Sequence, residues 1–128
     1  MLQDQFHHGF PPKAWKAAKA EAKAILKDVA RRKNVIAYSH LAAMISNVQM
    51  GARDRRFFHF LGEVSSEEDE KGRGLLTVLV VHKTGDMKPG PGFFELGEGR
   101  GRDVSDLERC WVHELNAVYA VWSKDKQR

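Results

Sequence analysis

The sequence predicts one α+β domain in which several helices lead into a small β-hairpin and a long helix closes the chain. Three observations predict it. Residues 13–33, KAWKAAKAEAKAILKDVARRK, place apolar side chains on one arc at helical spacing. Residues 75–96, LLTVLVVHKTGDMKPGPGFFEL, run from β-branched residues through glycine- and proline-rich turn chemistry to a second apolar pair. Residues 104–122, VSDLERCWVHELNAVYAVW, restore the helical period.

Composition bounds the class. A chain of 128 residues can bury a core without disulfides or metals, and its 42% apolar and 30% charged content suits a soluble globular fold. The single cysteine, Cys110, rules out an internal disulfide and a cysteine-rich zinc site, and it suits the reducing cytoplasm expected as the location. No apolar run reaches the length of a membrane span, and MLQDQFHHGFPPKAW lacks the apolar stretch and cleavage signal of a secretory leader. The net charge of +4 is unevenly spread. Residues 1–62 hold 11 Lys/Arg against 4 Asp/Glu, whereas residues 63–70, EVSSEEDE, hold five acids and no base. A basic half of this kind steers anionic partners.

Residues 1–12 read as a flexible arm, with residues 13–128 forming the domain; Pro11-Pro12 resists regular helix, and His7-His8 has no nearby ligand partner. In the first helix Trp15, Ala18, Ala22, Ile25, Leu26 and Val29 form the apolar arc. Lys16, Lys19, Lys23 and Lys27 project from the other side as a secondary basic face. Asn34 ends this helix. VIAYS follows as a short strand, and Ser39 is placed to cap a compact helix, HLAAMIS. Asp54 is placed to cap RRFFHFLGEV, whose Phe57, Phe60, Leu61 and Val64 form a buried stripe. The acidic run offers the capping pairs Ser65 with Glu68 and Ser66 with Asp69, so a separate helical turn closed by Gly72 is expected. Leu75 to Lys83 reads as a strand with Phe93-Phe94 as its hairpin partner, GEGRGR as an irregular link, and Asp103 as the cap of the last helix. There Val104, Leu107, Trp111, Leu115, Val118 and Trp122 make the expected stripe.

This order of elements over residues 13–96 resembles a winged helix-turn-helix domain. Within that class, VIAYSHLAAMI resembles the strand and helix that open the helix-turn-helix in the DNA-binding half of alkyltransferase-like proteins. The Pro-Cys-His-Arg motif of that family is missing and Cys110 lies far downstream, so the resemblance implies a DNA-binding scaffold and not alkyl transfer. GRGLLTVLVVHKTGDMKPGPGFFEL also resembles a segment of small bacterial proteins of unassigned function, which brings no activity with it.

The resemblance makes RDRRFFHFLGEV the recognition helix and residues 82–92 the wing. Arg55 and Arg56 would position or read a groove of duplex DNA, and Arg53, Lys83 and Lys88 would contact phosphates. His59 would join them by facing the groove, or else merely cap the exposed side of the helix. The competing class is a protein-interaction module or a small subunit of a nucleoprotein assembly. A partner would dock on the acidic segment, or a homodimer would form through Val112 and Tyr119 of the last helix. Chemistry has less support. His113-Glu114 lacks the second histidine of a zinc-protease helix, Cys110 with His113 borders a core stripe, and GEGRGR lacks a phosphate-loop lysine. Asp86 and Glu95 near Lys83 lack a nuclease spacing. No catalytic residue, metal or cofactor is therefore expected.

Overall fold

The computed structural model describes residues 9–82 and 89–126. They form five α-helices and one two-stranded parallel sheet around a single core, a mostly helical α+β arrangement.

Helix α1 (Pro12–Arg31) opens with Pro12 at its first helical position, where the missing N–H costs nothing. It buries Trp15, Ala18, Ala22, Leu26, Val29 and Ala30. Phe10, in the segment read as an arm, stacks on Trp15 at 5.9 Å between ring centroids. Lys33, at φ 51°, turns the chain out of the helix, and Asn34 N–H closes on the Val29 carbonyl.

Strand β1 (Ile36–Ala37) runs straight into α2 (Tyr38–Met44). Ser39 therefore lies inside the first turn and is not the cap; Ala37 holds that position without a side-chain bond. The helix starts early because Tyr38 is drawn into the core. Helix α3 (Arg55–Glu70) is capped as expected by Asp54, whose carboxylate accepts the Arg56 N–H at 2.9 Å. It continues through the acidic run, where a separate turn was expected. Ser65 is buried against Thr77 instead of capping, and Glu68 is buried too, so the inward stripe of Phe57, Phe60, Leu61 and Val64 extends to the end of the helix.

The expected hairpin is replaced. Leu76–Leu79 form a 3₁₀ turn, and only Val80–Val81 make a strand, β2, which pairs in parallel with β1 in the register Ile36 to Val80 and Ala37 to Val81. Leu75 to Val81 are buried throughout, so the apolar run reports burial and not a ladder. Phe93 and Phe94 lie in helix α4 (Pro91–Gly99), launched by Pro91 behind Gly90, and this helix takes in the start of GEGRGR.

Helix α5 (Leu107–Lys126) is capped by Asp106, which accepts the Arg109 N–H at 3.1 Å; Asp103 instead binds Ser105. Its buried line is Cys110, Glu114, Val118 and Trp122, flanked by half-buried Trp111, Leu115 and Tyr119. The line is rotated from the expected stripe, so Leu107 is 51% exposed. A buried carboxylate at its centre is possible because Glu114 accepts the Leu75 N–H at 2.8 Å and two bonds from Arg102 at 3.0 Å. Lys27, Arg31 and Arg73 surround the Trp122 ring at 4.9, 5.7 and 5.5 Å, tying α1 and the 71–75 turn to α5.

Candidate nucleic-acid interface

The two ends of α3 differ in charge and in what that charge meets. At its N-terminal end Arg53 and Arg55 are exposed, and neither forms an ion pair among the described residues. Arg56 is otherwise engaged. Its guanidinium bonds Asp54 at 2.7 to 3.2 Å and lies 4.6 Å over the Phe10 ring. Asp54 thus pairs with Arg56, and the Arg56 side chain holds the Asp54 carboxyl below its ordinary value. His59 is exposed one turn beyond Arg55.

At the C-terminal end every acid from Glu67 to Asp69 is neutralised. Glu67 binds Lys19 at 2.5 Å and Lys23 at 2.6 Å; Glu68 binds Arg73 at 2.8 Å; Asp69 binds Arg100 and Arg102 at 2.7 Å. The guanidinium of Arg102, then that of Arg100, keeps the Asp69 carboxyl below its usual range. Burial pushes Glu68 upward, but Arg73, Lys27 and Lys23 together hold it low. Glu67, Glu68 and Asp69 are thus paired within the fold, which lowers their repulsion from the arginine end, while Glu70 stays exposed, 3.9 Å from Arg100.

The same contacts correct the reading of α1. Lys19 and Lys23 do not project as a free basic face but are half-buried, bridging α1 to Glu63, Glu67 and Glu68. Lys27 rests on Trp122. Lys16 is exposed. Only the packing of α3 beside α1 shows what these lysines meet.

Lys83 and Lys88 lie outside the described residues, as does the tip of the expected wing. The flanks of that loop are described. Gly90 N–H donates to the Tyr38 hydroxyl at 2.9 Å, and the His82 ring lies 5.0 Å from that of Tyr38. Tyr38 in turn lines a hollow of about 60 Å³ with Phe58, Leu61, Gly62, Thr77 and Phe93. The residues flanking positions 83–88 thus meet Tyr38 of α2, and Gly92 shares the hollow with Phe58 of α3. Phe58, which the sequence reading passed over, is 48% exposed on that face. Its signal was an aromatic one place off the buried stripe.

A larger cleft of about 620 Å³ lies between α5 and the turns at 72–74 and 101–106, with Arg102, Arg109, His113 and Glu114 on its walls. Cys110 lines it, but burial, and then Glu114, pushes its thiol above the ordinary value, the reverse of what an activated thiolate needs. Among the described residues no cluster of three or more His, Cys, Asp or Glu is arranged to hold a metal ion, and no helix is long and apolar enough to cross a membrane. Comparison with protein-family models, with curated proteins and with solved structures gives no match.

Proposed function

We propose that this protein binds duplex DNA through the N-terminal end of α3, as a non-enzymatic, cytoplasmic DNA-binding domain. The observation that carries the reading is the pair Arg53 and Arg55, exposed and without an acidic partner among the described residues, on a helix whose Glu67, Glu68 and Asp69 are paired with bases at its far end. Desolvating an unpaired guanidinium against phosphate or a guanine edge breaks no internal contact, whereas Lys19 or Lys23 would first have to leave Glu67. In this reading α2 and α3 act as a helix-turn-helix, Arg55 faces base edges, and Arg53 contacts phosphate. Arg56 orders the turn through Asp54. Lys83 and Lys88 are the proposed wing contacts to phosphate, a reading supported by Gly92, which shares a hollow with Phe58 of α3.

Fluorescence anisotropy against random duplex across a salt series tests this. Arg53→Ala/Arg55→Ala should weaken binding and flatten the salt dependence by about one unit of slope per lost phosphate contact. Lys83→Ala/Lys88→Ala should do the same, and Lys19→Ala should leave the slope unchanged. No binding at low salt, or a double arginine variant that binds like the parent, would overturn the proposal.

One observation favours a second reading, a protein partner on α5. Val112 is 43% exposed there, one position from the cleft wall. Tyr119, expected to share a homodimer face with it, is half-buried and donates its hydroxyl to the Asn34 carbonyl at 2.8 Å. Sedimentation over a concentration series, with Val112→Asp beside the parent, checks for self-association through this face.

A further inference from the structure

We infer that Phe58 stacks on an unpaired nucleobase, so that the α3 surface prefers DNA containing an unpaired base over fully paired duplex; this rests on the DNA-binding reading above. The three phenylalanines of α3 are divided. Phe57 and Phe60 are fully buried, whereas Phe58 stands 48% exposed. It lies three residues beyond Arg55, so the two exposed side chains share one side of the helix. Its surroundings are low. A side chain at Gly62, one turn further on, would meet nothing within 4 Å, and the same holds at Gly92 across the hollow. The backbone on either side of the ring is thus open to close approach by a flat group.

Charge selects the class of partner. Arg53 and Arg55 supply positive charge with no acid of the described chain to satisfy it, which complements a phosphate backbone. Chemistry selects the form. A paired duplex shows only base edges in its grooves, and an aromatic ring gains little from them; an unpaired base presents its π-face, on which aromatic side chains stack regardless of base identity. The hollow beside Phe58, at about 60 Å³, is far too small to enclose a base, so the contact is a stack on the surface of α3.

The test is anisotropy with two labelled duplexes that differ only in one central unpaired adenine. The full chain should bind the bulged duplex about tenfold more tightly. Phe58→Ala should remove that preference while keeping its affinity for the paired duplex, and Phe58→Trp should retain it. Arg53→Ala/Arg55→Ala should weaken both duplexes by a similar factor and leave the ratio. Equal binding of the two duplexes by the parent, or a preference that survives Phe58→Ala, would overturn the inference and leave the DNA-binding reading standing. Binding of neither duplex would overturn both and turn Phe58 into a candidate protein contact.

Discussion

Glu114→Ala is the most informative single substitution for the fold. The Glu114 side chain is 4% exposed as a residue, and its two oxygens serve three donors. Oε2 accepts from Leu75 N–H at 2.8 Å and from Arg102 Nη2 at 3.0 Å, while Oε1 accepts from Arg102 Nε at 3.0 Å. Alanine would leave the fully buried Leu75 N–H without an acceptor, a cost of about 1–3 kcal/mol. Arg102 would not be stranded, because Asp69 still binds it at 2.7 Å and the Arg100 carbonyl accepts from it at 3.2 Å. Its share is therefore about 1 kcal/mol, below the 3–5 kcal/mol of a wholly broken buried pair. The expected total is about 2–4 kcal/mol. Glu114→Gln keeps an acceptor for Leu75 N–H but loses the charge and the oxygen that accepts from Arg102 Nε, so it should cost less than alanine. Urea denaturation at neutral pH, read as a midpoint shift at constant slope, measures both. An alanine variant within about 0.5 kcal/mol of the parent, or a glutamine variant as costly as alanine, would refute the account.

Two further outcomes follow from the same geometry. Glu21 accepts bonds from the Ser46 hydroxyl and N–H and from Asn47, led by the Ser46 hydroxyl, and its folded pKa falls from 4.5 to about 2. A depressed carboxyl pKa adds stability that is complete above 4.5 and is lost as pH falls towards 2. Glu21→Gln should thus show a shallower acid loss in thermal melts over that interval, and superimposable acid slopes would count against the contact. Gly74→Ala should destabilise by about 2 kcal/mol, because the residue sits at φ +86° and a Cβ would come 3.1 Å from Glu114 Oε2 and Val118 Cγ2. Gly101→Ala meets the same backbone strain at φ +88° but open space, so about 1 kcal/mol is expected; equal costs in denaturation would show that packing at Gly74 contributes nothing.

Much of the fold was legible where one local signal decided it. The first helix followed from Trp15 to Val29 at constant spacing, and Asp54 marked the start of α3 because a cap acts within three residues. The failures share a cause. Thr77 and Val78 are β-branched yet lie in a buried 3₁₀ turn, because β-propensity reports fit to a packed surface more than a backbone preference, and the expected ladder shrank to Val80–Val81 pairing with β1. Phe93-Phe94 lacked any local mark of strand or helix beyond Pro91, which starts α4. Ser65 and Ser66 looked like caps only because Thr77, the partner that buries Ser65, is distant in sequence.

The candidate interface divides along the same line. That a basic cluster precedes Phe57, that acids crowd residues 63–70 and that lysines recur along residues 16–27 are properties of the sequence, set by local composition and the helical period. Which charges remain for a partner was decided only in three dimensions. Packing α1 against α3 joined Lys19 and Lys23 to Glu67, while Arg100 and Arg102 reached Asp69 from more than thirty positions away. Arg53 and Arg55 were left outside those pairs, and Phe58 was left in solvent beside them. A charge's availability depends on what stands within a few ångströms of it, and for residues far apart in the chain that distance exists only once the helices have packed.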